Sequence, residues 1–296
     1  MSLISISTCP ICGHGTFAPH LICIDHTSTQ EKFQIVTCKE CGFAMTTPRP
    51  ADHDIGKYYQ SENYISHTGG RQTIFDRAYV FIRKFTLRWK KNILKSHSTG
   101  PSVLDFGCGT GDFLSEMQRN GWSVTGVEPS PVAKTSAEAK LPGKIHTDIS
   151  ALDKKTFDAI TLWHVLEHIP DLSKILKHLK SHLNNSGTIF IAVPNHEAHD
   201  AKYYKSYWAG YDVPRHLWHF SQTDMKALLQ RNGFKLVKIL PMRLDAFYVS
   251  MLSEEYLNPK RNKLVRLLRA TWTAIKSNIK AKENKNYSSL IYIATQ

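Results

Sequence analysis

The chain has 296 residues, 42% of them hydrophobic, so it can bury a sizeable core and hold one large domain plus a small one. Its formal net charge of +13 directs attention to an anionic partner or substrate. No run of about 18 apolar residues predicts a spanning helix, and M-S-L-I-S-I-S-T-C lacks the basic start and long apolar stretch of a secretory signal, so a cytoplasmic protein with reduced cysteines is expected.

Two C-x-x-C-G knuckles open the chain, Cys9 with Cys12 and Cys38 with Cys41. Each lets a tight turn aim two thiolates at one point, and four thiolates make a tetrahedral zinc site. The shell is then closed, so the Zn2+ is structural rather than catalytic. Between the knuckles, L-I-C-I-D and K-F-Q-I-V-T-C read as short strands. Residues 1–46 are therefore predicted to be a zinc ribbon, with Cys23 in its small core and metal standing in for the core it cannot build. Covering a pocket, touching a partner and binding nucleic acid all remain open as its purpose.

Residues 47–99 are predicted to be a linker and a helical cap. Prolines mark T-T-P-R-P-A-D, and Tyr58, Tyr59 and Tyr64 follow as pocket-lining or core residues. From 71 to 95 the apolar residues Ile74, Phe75, Ala78, Phe81, Ile82, Phe85 and Trp89 recur on one side of a helix that carries eight Lys/Arg against one Asp.

Residues 100–296 alternate strand and helix. Strands are predicted near 102–106, 123–127, 144–147, 157–163 and 187–193, and helices near 111–120, 130–140, 171–184 and 222–232. K-L-V-K-I-L reads as a sixth strand and S-L-I-Y-I-A-T as a last one. The pattern is that of an α/β parallel sheet with helices on both faces and ligands at its C-terminal edge. The first strand runs into V-L-D-F-G-C-G-T-G-D-F, where Gly107, Gly109 and Gly111 permit a tight turn and close backbone approach. The helix start behind it suits a carboxylate or phosphate. A dinucleotide motif would want its third glycine one residue later, and Asp105 would repel a pyrophosphate. A cofactor carrying an ammonium and a sulfonium would meet no such repulsion. Glu128 ends the second strand, where a ribose diol is gripped. Asp148 follows the third.

The segments D-F-G-C-G-T-G-D, V-E-P-S and W-H-V-L-E-H-I-P-D resemble the class I methyltransferases that use S-adenosylmethionine, over roughly Gly100 to Leu240. The resemblance implies a Rossmann-like seven-stranded sheet with a reversed last strand, a helix capping the cofactor cleft, and residues 243–286 as an inserted helical pair. It implies cofactor contacts from Asp105, Gly107, Cys108, Gly109, Gly111, Glu128, Asp148, Ile149, Trp163 and His164. The W-H-V-L-E-H stretch is similar to coenzyme-Q-type O-methyltransferases. Some related enzymes with E-x-x-E-H here bind a divalent metal, but His164 stands where the first acid would be. A capping or structural role is the competing reading of His168.

Methyl transfer from a sulfonium is an in-line displacement, and orientation alone can supply roughly 7–11 kcal/mol at best. A hydroxyl or amine nucleophile also needs a base. His216 in Y-D-V-P-R-H-L-W-H-F is the first candidate, with His164 and His219 as further ones. Arg215 is a candidate clamp for a substrate phosphate or carboxylate, and Asn195 and His196 are candidate substrate contacts. The competing reading is that this Trp/His/Phe-rich stretch packs as a lid, with S-Q-T-D capping the next helix.

Within the insert, Lys260 to Lys285 carries nine Lys/Arg against one Glu, with Leu264, Val265, Leu267, Leu268, Trp272, Ile275 and Ile279 among them. This is either an interfacial membrane helix or one packing its apolar side on the core, the latter being the expectation. Methyltransferases with an N-terminal cysteine module of this kind are similar to those acting on nucleotide-linked sugars and cell-surface glycans. Basic helices suit a diphosphate-bearing or lipid-linked acceptor. The expected function is methyl transfer to a small-molecule or glycan acceptor, on oxygen, with a histidine base. One alternative is an RNA methyltransferase gripping nucleic acid with ribbon and basic helices, although no N-P-P-Y-type tetrad follows the fourth strand. Another is a non-catalytic S-adenosylmethionine-binding module, against which the intact glycines and acids speak.

Overall fold

Alternation in the first 50 residues builds a small antiparallel sheet. Strands β1 (Phe17–Ile24) and β2 (Lys32–Cys38) form a hairpin, and β3 (Ala44–Thr46) pairs with β2. The turn between β1 and β2 is organised by Asp25, whose carboxylate accepts from the amides of Thr27, Ser28 and Thr29. Successive residues of β2 point to opposite faces, and both are covered. Ile35 joins Cys23, Phe33, Tyr58 and Tyr211, while Val36 and Cys38 join Phe43, Met45 and Trp218. Cys23 thus lies in a core shared with residues 201–213 rather than one private to the module. The computed structural model describes residues 2–59 and 74–296, and backbone alone for 74–84. Tyr64 and the facing of Ile74, Phe75, Ala78, Phe81 and Ile82 lie outside the described residues.

After helix α1 (Ile74–His97) the chain alternates as predicted. It runs β4 (Ser102–Phe106), α2 (Asp112–Arg119), β5 (Ser123–Val127), α3 (Pro131–Lys140), β6 (Ile145–His146), β7 (Phe157–Trp163), α4 (Leu172–Ser181) and β8 (Leu183–Pro194). Next come α5 (His199–Tyr204), β9 (Trp218–His219), α6 (Gln222–Arg231), β10 (Lys235–Pro241), α7 (Asp245–Leu257), α8 (Lys263–Asn284) and β11 (Ser289–Thr295). The main sheet has the order β10-β11-β8-β7-β4-β5-β6. Its strands are parallel except β11, which runs antiparallel to β8 and β10.

Ile189 to Val193 are essentially inaccessible, as the central strand of a sheet covered on both faces requires. On one face Leu172, Leu176 and Leu179 of α4 pack with Met225, Leu228 and Leu229 of α6. On the other, Leu94 of α1, Leu114 and Met117 of α2 and Ala137 of α3 close the core. Helix starts are capped by side chains, at Asp171 for α4 and by the reciprocal Ser221–Asp224 box for α6.

Two features of this arrangement were not foreseen. β9 leaves the main sheet and pairs with β3, so the N-terminal sheet takes its fourth strand from residues 218–219. The expectation that the apolar side of α8 packs on the core is overturned. Ala270, Thr273, Ala274, Ser277 and Ala281 are buried, while Leu264, Leu268, Trp272 and Ile279 are each more than half exposed.

Candidate active site

The loop after β4 turns through three glycines in the left-handed region, with φ of 76° at Gly107, 53° at Gly109 and 75° at Gly111. A Cβ at Gly109 would project into open space, so the loop forms a cradle that a side chain would begin to fill. Glu128, at the end of β5, braces it: its carboxylate accepts from the amides of Gly109 and Ser130 at 2.8 Å each. Asp148 caps the short turn Ile149–Leu152 after β6, and Ile149 is buried in the core beside it. The Cys108 side chain is buried toward Gly126. Asp105, Gly107, Glu128 and Asp148 therefore line up along the C-terminal edges of β4, β5 and β6.

Asp105 is buried, and burial pushes its carboxyl up to about 7, against the pull of the Thr161 hydroxyl at 2.6 Å and of Lys90. Lys90 comes from the cap helix α1, with its ammonium 4.2 Å from the centre of the Trp163 ring. Burial lowers its pKa, and the charges of Asp245 and Asp105 raise it. The Trp163 indole N–H is buried with no hydrogen-bond partner among the described residues. The sequence marked Trp163 but missed Lys90, Thr161 and Asp245, because nothing local ties them to the glycine loop.

Beyond β7 the histidines gather around one carboxylate. Glu167 is fully buried, and neither of its oxygens has a hydrogen-bond partner among the described residues. His164 Nδ1 is 3.4 Å from it and His216 Nε2 is 4.0 Å away. His164 sits at a φ of 58°, a left-handed conformation that non-glycine residues seldom adopt, and its other nitrogen is 3.0 Å from Asp245. Burial disfavours the His164 imidazolium, but the hydrogen bond to Asp245 and the nearby Glu167 carboxylate outweigh it and push the pKa up to about 9. Between the two carboxylates His164 favours its charged form, which suits it less than His216 to the role of base.

His216 is different. Its Nδ1 lies 2.8 Å from the Gly210 carbonyl, which can only accept, so the proton is on Nδ1. Nε2 faces the Glu167 and Asp212 carboxylates at 4.0 and 3.9 Å, which can stabilise the cation formed when it takes a proton. His168 packs edge-on against His216 with ring centres 4.6 Å apart, and its Nδ1 lies 3.0 Å from both the Arg215 carbonyl and the Tyr59 hydroxyl. Burial and the neighbouring His216 lower His168 to about 4. Glu167, His168 and His216 bring their ligand atoms within 4.8 Å of one another, a donor set that suits a divalent cation.

Three expectations are corrected here. Arg215 is no substrate clamp: it is 1% exposed, and its guanidinium donates to Asp212, Asp25, Thr27 and the Tyr58 carbonyl. It instead ties the turn between β1 and β2 to the Tyr211–Phe220 stretch. His219 is no base near the methyl: it is buried and donates from Nε2 to the Thr46 hydroxyl at 2.9 Å, which in turn donates to the His216 carbonyl at 2.8 Å. Burial above all holds it well below the usual histidine range. Asn195 is 1% exposed, with its amide engaged by Tyr287, Asn286 and Glu197, which leaves no free face for substrate. His196 is half-buried, and its charged neighbours are His20 and Lys202 rather than the histidine cluster.

In the N-terminal module, Cys9 and Cys41 have their sulfurs 3.6 Å apart, and Cys12 and Cys38 theirs 3.5 Å apart. All four lie within 4.8 Å of one another, close to the spacing of about 3.8 Å that tetrahedral ligation with zinc–sulfur bonds of 2.3 Å gives. Gly13 and Gly42, the last residue of each knuckle, turn the chain at φ of 83° and 78°.

Residues 77–239 match the family described as "Methyltransferase domain". Curated relatives include the ubiquinone biosynthesis O-methyltransferase of Xanthomonas campestris pv. campestris (strain B100), 32% identical over 105 residues that cover 32% of this chain and 44% of that one. The mitochondrial ubiquinone biosynthesis O-methyltransferase of Saccharomyces cerevisiae is 37% identical over 107 residues, 32% of this chain and 34% of that one. The chain spans about half the length, or less, of the curated relatives it matches. Among solved structures, the magnesium protoporphyrin IX methyltransferase of Synechocystis PCC 6803 with bound SAH shares the fold, with a TM-score of 0.53 and 16% identity over 83% of this chain and 100% of that one. With more than half its length in that family match, and the glycine loop and acids on the edge of a seven-stranded sheet with a reversed last strand, the chain belongs to the methyltransferase domain family, the S-adenosylmethionine-dependent enzymes of class I.

Proposed function

We propose that this protein transfers a methyl group from S-adenosylmethionine to an oxygen of a small-molecule or glycan acceptor, with His216 as the general base. The cofactor supplies a methyl group made electrophilic by its sulfonium. The residues fit it: the loop from Gly107 to Gly111 leaves room for a ligand, Glu128 and Asp148 offer carboxylates for ribose and adenine, and the unpartnered Trp163 indole N–H awaits an acceptor. Lys90 would pair the methionine carboxylate and Asp105 its ammonium.

The observation that carries the assignment of the base is the fixed tautomer of His216, with Nε2 open between two carboxylates. Removing an acceptor hydroxyl proton leaves an imidazolium that Glu167 and Asp212 stabilise. His164 holds a positive charge at the rim and keeps Glu167 ionised: burial works against the carboxylate, but His164 holds it below the usual range. The N-terminal zinc, on Cys9, Cys12, Cys38 and Cys41, would hold β3 in place, and β3 holds the His216 stretch through Thr46. Acceptors bearing a diphosphate, a nucleotide-sugar or a lipid-linked glycan suit the basic surface. The deep packing of residues 211–220 supports a closed pocket over an RNA groove.

The test is incubation with methyl-labelled S-adenosylmethionine and fractionated cell extract, with and without ribonuclease. Label in a small-molecule, glycan or lipid fraction is expected. Label that ribonuclease abolishes would overturn the reading.

A further inference from the structure

We infer that the outward face of α8 is a docking surface for an anionic lipid bilayer, an association that does not depend on which acceptor is methylated. An ordinary surface helix buries its large apolar side chains and exposes its polar ones. α8 does the reverse. Its buried side is Ala270, Thr273, Ala274, Ser277 and Ala281, packed toward α5 and α7. Its outward side carries Leu264, Leu268, Trp272, Ile275 and Ile279, exposed by 63, 62, 68, 39 and 56%. At 3.6 residues per turn these five fall within an arc of about 80°, centred opposite the buried arc.

The helix is locked in this rotation. Ser277 donates at 2.6 Å to Asp200, which is fully buried and also accepts from Trp208 and Ser288. Arg269 reaches the buried Glu254 at 3.3 Å. The apolar row therefore cannot roll inward.

Charge selects the occupant. Lys282 is exposed on the apolar row and Lys276 about 40° beside it, and neither pairs with a carboxylate among the described residues. Glu283 is the only acid between Lys260 and Lys285. A second copy would have to bring the same lysines against themselves, since a two-fold contact is self-complementary in position and not in charge. Nucleic acid would use the lysines and leave the leucines and isoleucines wet. An anionic bilayer uses both, taking the apolar row into the acyl boundary and the lysines at the headgroups. Among the described residues no helix is long and apolar enough to cross a membrane, so the contact is interfacial.

The experiment is co-sedimentation of the full-length protein with vesicles of phosphatidylcholine alone, and of phosphatidylcholine with roughly a third phosphatidylglycerol. Binding to the anionic vesicles at least about tenfold tighter, and weakened by salt, is expected. The variant Leu268→Gln/Trp272→Gln should lose that binding at least about tenfold, with its circular dichroism and S-adenosylmethionine affinity unchanged. Lys276→Gln/Lys282→Gln should lose the preference for anionic lipid. Equal binding to both vesicles, no binding to either, or full retention in the first variant would overturn the inference. So would a dimer in sedimentation equilibrium that the first variant dissolves.

Discussion

The two halves of the site are built in opposite ways. The cradle of the cofactor half is local: β4, its glycine loop, α2 and the end of β5 lie within 26 residues, and Glu128 braces Gly109 from only 19 positions away. The acceptor half is assembled from far apart. Arg215 meets Asp25 across 190 positions, and Thr46 holds the His216 carbonyl across 170. A local cradle can be cut from one segment, whereas a long-range pocket depends on every segment that frames it. Damage far from the chemistry should therefore harm the acceptor half and spare the cofactor half.

The largest effect is expected at the proposed zinc site. Structural zinc binding supplies roughly 10–16 kcal/mol, so chelation, or Cys9→Ser with Cys41→Ser, should unfold the N-terminal sheet. Transfer to acceptor should fall by more than about a hundredfold, while S-adenosylmethionine affinity, read by titration calorimetry, changes little. Loss of both together would merge the two halves.

Next comes Arg215→Met, which leaves Asp25 and Asp212 without their buried cation. A cost of about 3–5 kcal/mol is expected in urea unfolding, because a buried charge loses its partner. A change under about 1 kcal/mol would return Arg215 to the role of a free substrate clamp.

In the cofactor half, Gly109→Val should act in the opposite sense. A β-branched residue resists a φ of 53° and fills the cradle. Cofactor affinity should fall by about tenfold or more, with the unfolding midpoint of the N-terminal sheet unmoved.

The pH dependence of stability separates the histidines of the cluster. His168 titrates near 4 when folded, so it is neutral in the native protein and takes up a proton more readily when unfolded. Stability should fall by about 3 kcal/mol as pH drops from 6.5 toward 4, and His168→Gln should flatten that limb. His164, raised to about 9, acts the other way: its contribution is full below 6.5 and is lost as pH rises through 9. Urea unfolding at pH 4.5, 6.5 and 9 reads both limbs.

The same contrast explains what the sequence could show. Glycine spacing, strand-end acids and C-x-x-C-G knuckles carry their meaning within a dozen residues; the strands followed from local patterning, and the reversal of the last one from the resemblance to class I methyltransferases. Arg215, His219 and Asn195 were misjudged because their residue types fit a substrate site, and only tertiary contacts show that each is engaged within the protein. Lys90 and Asp245 were missed because they reach the cofactor side from flanking helices. α8 was misjudged because periodicity shows where the apolar stripe lies on a helix and not which side the protein covers.

The most direct test of the division of labour is His216→Asn, measured for both S-adenosylmethionine binding and transfer of labelled methyl to the acceptor fraction. The account predicts cofactor affinity within about threefold of the unaltered protein and a transfer rate lower by roughly 10²–10⁴. Transfer at the unaltered rate, or loss of cofactor binding in step with it, would contradict the account.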